Sequence, residues 1–413
     1  MKKLFTLTFI LFSFFAQADY WTQKANYPVG GLEYPFSFSI GNKGYIGSGK
    51  DISGTVYDAF WQYDPATNVW TQKANFIGAA RFQATGISIG TKGYVGLGLD
   101  PVSPLQDFWE YDPVTNLWTQ KANFGGSARF SATGFSVGLK GYIGTGYNFI
   151  SAYKDLWEYN PVTNSWSAKA SIPGAIRSGA NSFAIGNSGY VIGGFNFNLN
   201  YLSEVWEYNT VSNTWTQKAN FPAGRFLGAA MAICDKGYYG VGAVLGTYYN
   251  DFWQYNPVTN AWIQKTNFSG LNRNEPAYFS IGSKGYIGVG GEDSGPLYND
   301  FWEYTPDSAC ATGIDEFEAS GLKFEVSPNP AKEFIVISYP PDSYRDGKEN
   351  TDITITNVEG KKVYQKPLTP KGEPTINIPL LKLRAGVYFV EISNACLPVR
   401  QGKQRAVKKF IKE

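Results

Sequence analysis

Residues 108–118 read FWEYDPVTNLW, and the chain repeats that string. FWQYDPATNVW spans 60–70, LWEYNPVTNSW 156–166, VWEYNTVSNTW 205–215 and FWQYNPVTNAW 252–262. A sixth copy, FWEYTPDSACA, opens at Phe301 and lacks the second Trp. The first Trp of each copy is Trp61, Trp109, Trp157, Trp206, Trp253 and Trp302, at spacings of 48, 48, 49, 47 and 49. A Gly-Tyr pair keeps step, its tyrosine at Tyr45, Tyr94, Tyr142, Tyr190, Tyr238 and Tyr286. Such a fixed period marks a repeat architecture.

Each unit reads as four short strands. In the second copy the first is ATGISIG, ending at Gly90, and the second is GYVGLG, from Gly93. The third is FWEYD, from Phe108, and the fourth LWTQKA, from Leu117, after Pro-Val-Thr-Asn turn chemistry. Alternation and aromatic content favour strands over helices. Four strands in about 48 residues is the arithmetic of a propeller blade. The segment Tyr20-Trp21-Thr22-Gln23-Lys24-Ala25 matches a fourth strand, and Trp21 lies 49 residues before Trp70. It completes the blade begun by the sixth copy, which closes the ring and removes two exposed edges. Six blades with two Trp each use all 12 Trp. Recurring at fixed phase, the Trp and Tyr are expected to pack between blades.

These features resemble the kelch repeat: Gly193-Gly194 and Gly290-Gly291 after the second strand, an acid-aromatic-Trp-x-Tyr core, and a Trp nine residues on. The resemblance covers roughly residues 20–309, and several blades depart from it with Gly-x-Gly. The expected fold is all-β, a six-bladed kelch-type β-propeller followed by a small Ig-like β-sandwich.

The chain has no His, which excludes a Ser-His-Asp triad, a Cys-His dyad and any His-ligated metal. The sequence names no catalytic residue, metal or cofactor. Net charge is +2, so the overall balance does not favour nucleic acid. Residues 1–18, MKKLFTLTFILFSFFAQA, read as a secretory signal peptide: Lys2 and Lys3, an apolar run from Leu4 to Phe15, then Ala16-Gln17-Ala18. The mature chain is expected to start at Asp19 with no transmembrane segment, since a spanning helix needs about 20 apolar residues. Cys234, Cys310 and Cys396 are too few for a disulfide framework. Cys310 could pair with Cys396, but the plainer reading is three thiols.

Antiparallel order puts the linkers between blades and the loops from second to third strand on one face. Those loops vary where the cores do not: KDISGTVYD, LDPVSPLQ, YNFISAYK, FNFNLNYLS, AVLGTYYN and EDSGPLYN. They offer Tyr57, Tyr147, Phe149, Tyr153, Phe195, Phe197, Tyr201, Tyr248, Tyr249 and Tyr298, either for a ligand or to fold onto one another. The same face carries Arg81, Arg129, Arg177, Arg225 and Arg273, each 13 residues before a Gly-Tyr tyrosine, with Leu32 breaking the series. Asp107, Asp155, Glu204, Asp251 and Asp300 sit two residues before the first Trp of their blades. The arginines either pair with these acids as scaffolding or line a mouth for a carboxylate or sulfate. Every Arg paired would favour the scaffold. An unpaired carboxylate near the ring would favour an enzyme. Glu33 and Glu292 are the off-pattern acids. The candidate ligand face comprises the five arginines with Tyr147, Tyr201, Tyr248, Tyr249 and Tyr298. The kelch resemblance also implies an alternative, since some six-bladed relatives act on sialic acid by mutarotation.

Composition shifts after Thr305. The propeller is assigned to 19–305, an acidic linker to 306–321, and a second domain to 322–413. That domain reads as about seven short alternating strands, a small β-sandwich. It resembles the type A C-terminal sorting domain of type IX secretion substrates in Bacteroidota. The matching residues are Pro328-Asn329-Pro330, Gly360, Gly386 and Tyr388, with Lys408-Lys409-Phe410-Ile411 at the end. The resemblance implies the type IX secretion machinery as a partner and delivery outward or onto the cell surface. The expected function is an exported protein whose propeller face binds an unknown glycan or protein.

Overall fold

The computed structural model describes residues 18–196, 200–293, 295–307, 325–327, 331–338, 351–357, 362–368, 375–380, 383, 386–394 and 405–412. Residues 1–17 of the expected signal peptide lie outside these, as do Phe197 and residues 308–321 of the expected linker. The chain divides into two compact units, 1–310 and 311–413.

The first unit is six four-stranded antiparallel sheets. In the second blade the strands are Thr85–Ile89, Lys92–Gly96, Phe108–Asp112 and Leu117–Lys121, paired in chain order. The innermost strands of all six blades touch their neighbours in a closed ring. The last sheet runs Ala277–Ile281, Lys284–Gly288, Phe301–Thr305 and then Tyr20–Lys24. Trp21 stands opposite Tyr304 as Trp70 stands opposite Tyr63. Two of the variable loops add hairpins, Phe195–Asn196 with Asn200–Tyr201 and Ala243–Val244 with Thr247–Tyr248.

One clamp is repeated between blades. The Asn of the turn accepts hydrogen bonds from its own blade's Tyr and from the preceding blade's chain. Tyr111 Oη donates to Asn116 Oδ1 at 2.8 Å, Ala74 N donates to the same oxygen at 3.1 Å, and Trp118 Nε1 returns one to Ala74 O at 3.0 Å. At the ring closure Asp19 takes the place of Asn. Its Oδ2 accepts from Tyr304 Oη at 2.7 Å and Thr266 N at 2.8 Å, and Trp21 Nε1 donates to Thr266 O at 3.1 Å. The aromatic rings pack as expected: Trp118 lies 5.0 Å from Phe60 of the preceding blade. The Gly of each Gly-Tyr pair makes room for that packing. A Cβ on Gly93 would stand 2.3 Å from the Phe38 ring.

Cys234 occupies the inner hairpin turn at φ 60°, where other blades place Gly, and it is disulfide-bonded. The expectation of three thiols is corrected; Cys310 and Cys396 lie outside the described residues. The second unit has a three-stranded and a four-stranded antiparallel sheet. Alternate residues of their strands, Ile335, Ile337, Ile353, Ile355, Ile378 and Val390, bury together with Tyr388 in one core. That is the alternation a sandwich requires. Among the described residues no helix is long and apolar enough to cross a membrane.

Candidate functional site

The five arginines are turned inward. Each is 0–2% exposed and bound by the acid at the head of the third strand of its own blade. Arg81 makes a two-pronged contact with Asp107, both bonds 2.6 Å, and donates to Leu97 O at 2.9 Å. Burial works to raise the Asp107 pKa, but the hydrogen bonds and charge of Arg81 outweigh it, and the carboxyl titrates below its ordinary range. The expectation that Arg81, Arg129, Arg177, Arg225 and Arg273 form a ligand face is therefore corrected. Carboxylates have neutralised them, and water does not reach them.

Aromatic side chains cap the same arginines. Phe76 lies 4.7 Å from the Arg81 guanidinium, Tyr153 3.7 Å from that of Arg129, Tyr249 4.5 Å from that of Arg225 and Tyr298 4.8 Å from that of Arg273. Tyr147 packs on Phe130 and Phe149, and Tyr201 on Phe195 and Phe226. Most loop aromatics thus fold onto the scaffold. Tyr248 differs: its hydroxyl accepts from Asp293 N of the next blade at 2.7 Å.

Blade one lacks the whole device. Leu32 replaces Arg, and Ala59 replaces the acid. The Trp61 indole N–H, which in other blades donates to that acid, has no partner, nor does the buried Tyr27 hydroxyl. The six-fold repeat is broken there.

The break lies beside the axis. Two residues beyond each Arg position stand Tyr34, Gln83, Ser131, Gly179, Leu227 and Glu275, all with φ between 50° and 62°. Backbone bonds link them in sequence, from Gln83 N to Tyr34 O at 3.0 Å through to Glu275 N to Leu227 O at 2.8 Å. This annulus rims an axial cavity of about 140 Å³ on the loop face. Tyr278 reaches across the channel, its hydroxyl accepting from Asn181 Nδ2 at 3.0 Å, and separates this cavity from a second, of about 240 Å³, lined by Ser39, Ser88, Ser136 and Ser280.

Glu275 is the exceptional group. It is 4% exposed; its Oε1 accepts from Asn274 Nδ2 at 3.3 Å, and its Oε2 has no hydrogen-bond partner among the described residues. Burial pushes its pKa well above the carboxylate range; the Tyr34 phenol and Lys50 pull it down, while Glu33 and Asp293 push it further up. Gln83 Oε1, on the same rim, is also buried without a partner. Among the described residues no cluster of acids and thiols could hold a metal ion.

Residues 176–222 match the Kelch motif, and residues 325–413 match the Secretion system C-terminal sorting domain. The chain carries a Kelch motif, a six-bladed propeller and a C-terminal sorting domain. The solved structure of YjhT superposes with a TM-score of 0.59 at 20% identity, covering 67% of this chain and 95% of that one, a likeness of fold. No curated protein matches. In the sorting tail, Gly386 opens the strand Gly386–Asn394 and Tyr388 is buried in the core. Pro328, Asn329, Pro330 and Gly360 lie outside the described residues. Of the off-pattern acids, Glu33 binds Lys50 at 2.8 Å, and Glu292 lies outside the cavity lining. Sequence reasoning missed Tyr34, Gln83 and Glu275. The signal was there: two residues beyond the recurring Arg, the blades read Tyr34, Gln83, Ser131, Gly179, Leu227 and Glu275, a different residue in each.

Proposed function

We propose that the protein is an exported binding protein: its propeller takes a glycan or protein ligand at the axial mouth on the long-loop face, and its tail directs type IX secretion. The observation that carries this is the rim itself. The five arginines are each bound by an acid of their own blade, while Glu275 Oε2 and Gln83 Oε1 stay unpaired beside a cavity. Loops on a rigid scaffold are where binding usually resides. Tyr248, held against the Asp293 segment, is the loop tyrosine assigned to the mouth. The test is a glycan array and a protein pull-down with residues 19–413, alongside Tyr34→Ala and Tyr248→Ala. Binding unaffected by either change would exclude this mouth.

The alternative, an enzyme acting on an acidic sugar, is favoured by one feature. A carboxyl that holds its proton beside a phenol, in a cavity, suits general acid-base work. The propeller arginines are all bound, so the sugar carboxylate would have to meet Lys50. Proton NMR of N-acetylneuraminate anomers tests it. Interconversion accelerated by the protein and lost in Glu275→Gln would replace the binding reading.

A further inference from the structure

The hydrogen-bond inventory of the upper cavity says what would complete it. Most polar groups on its wall are already spoken for. Thr85 Oγ1 donates to Ala132 O at 2.9 Å, Thr133 Oγ1 to Ser182 Oγ at 2.7 Å, and Ser182 Oγ to Gly134 O at 2.8 Å. Asn181 both donates to Gly228 O at 2.8 Å and accepts from Gly228 N at 3.0 Å. Among the described residues, the buried side-chain atoms of this wall left without a partner are Gln83 Oε1 and Glu275 Oε2, both oxygens. They flank Tyr34 in the order of the annulus. A buried acceptor without a donor costs about 1–3 kcal/mol, so a ligand bringing donors is stabilised by filling them.

The charge around these oxygens is negative. Glu33 and Asp293 push the Glu275 pKa up, against the Tyr34 hydrogen bond and the Lys50 charge, which pull it down. Arg273, two residues away, is consumed by Asp300 at 2.7 and 2.8 Å. The chain's own chemistry shows what these walls accept. The Lys50 ammonium sits 5.7 Å from the Tyr34 ring and 4.9 Å from the Phe82 ring while binding Glu33 at 2.8 Å.

We propose that the axial cavity takes a primary ammonium group, its N–H donors directed to the Glu275 carboxylate and the Gln83 side-chain carbonyl beside the Tyr34 ring. This rests on the axial mouth being the binding face and names the chemistry of its ligand. The ammonium takes the place of the carboxyl proton. Binding therefore releases that proton, and affinity rises with pH until Glu275 ionises without help. An amino sugar and a lysine side chain both carry the group.

Calorimetry with residues 19–413 tests it, using glucosamine and Nα-acetyl-lysine amide as probes and glucose as the neutral control. At least one ammonium probe is expected to bind about tenfold or more tighter than glucose, the advantage of a charge-assisted bond. Which one binds distinguishes the two sources. Runs in two buffers of different ionisation heat should show proton release for the lysine probe. Glu275→Gln should abolish both the preference and the release, and Gln83→Leu should reduce the preference. Ammonium probes binding no better than glucose overturn the inference. If glycan or protein capture at the mouth persists in that case, the binding reading stands and only the ligand chemistry fails.

Discussion

At the scale of the residue, one substitution made by the chain itself predicts what others will do. Blade one carries Leu32 and Ala59 where the other blades carry Arg and acid, so the pair can be lost together. Losing one partner is another matter, since an unpaired buried charge costs about 3–5 kcal/mol. Asp155→Ala, which leaves the buried Arg129 unpaired, should therefore destabilise by about that amount, while Arg129→Leu with Asp155→Ala should recover much of it, read by denaturant melts. Equal losses in the single and double variants would mean that the unpaired Arg129 guanidinium carries no such cost. Glu275 obeys the opposite rule. Its folded pKa is raised by burial, so the folded chain keeps a proton that the unfolded chain releases above a pKa of about 4.3. Stability is lost as pH rises from there toward the raised value. Glu275→Gln, which carries no charge, should melt with the parent near pH 4 and above it at pH 7. A variant no more stable at pH 7 than the parent would show that the site carries no such strain.

At the scale of the element, the strand Tyr20–Lys24 decides whether the ring is closed. Asp19, just ahead of it, does for the last blade what Asn260 does for the fifth, accepting from one tyrosine and one backbone amide. Asp19→Ala removes the acceptor of both donors and should cost about 0.5–1.5 kcal/mol, matched by Asn260→Ala. Asp19→Asn should be tolerated, because five blades already use Asn there. A thermal melt unmoved by Asp19→Ala would mean that strand pairing alone closes the ring. This closure was legible from the chain because Trp21 is in phase with Trp70, and phase fixes register. The arginine face was not. Where Arg81 points depends on Asp107, 26 residues on, and only the fold brings the two within 2.6 Å. Glu275 was obscured for a related reason. Its conspicuous property is a missing partner, and sequence shows residues without showing which of their atoms stay unpaired.

At the scale of the whole molecule, near-neutral total charge conceals two units of opposite sign. Residues 322–413 hold 16 Lys+Arg against 10 Asp+Glu, and residues 19–321 hold 18 against 24. An acidic propeller suits a cationic ligand; the basic tail answers to a different partner, the secretion machinery implied by its sorting-domain match. The two tasks should therefore separate genetically. Deleting 322–413 should leave the propeller folded and trapped in the periplasm, found by fractionation and immunoblotting. Tyr388→Ala should act in the same direction more weakly, since emptying a buried aromatic site costs about 3–5 kcal/mol and unfolds part of the tail population. The propeller variant Glu275→Gln should be exported normally, because its defect is confined to the mouth. Surface delivery of the chain lacking 322–413 would move the sorting signal into the propeller and overturn the division of labour.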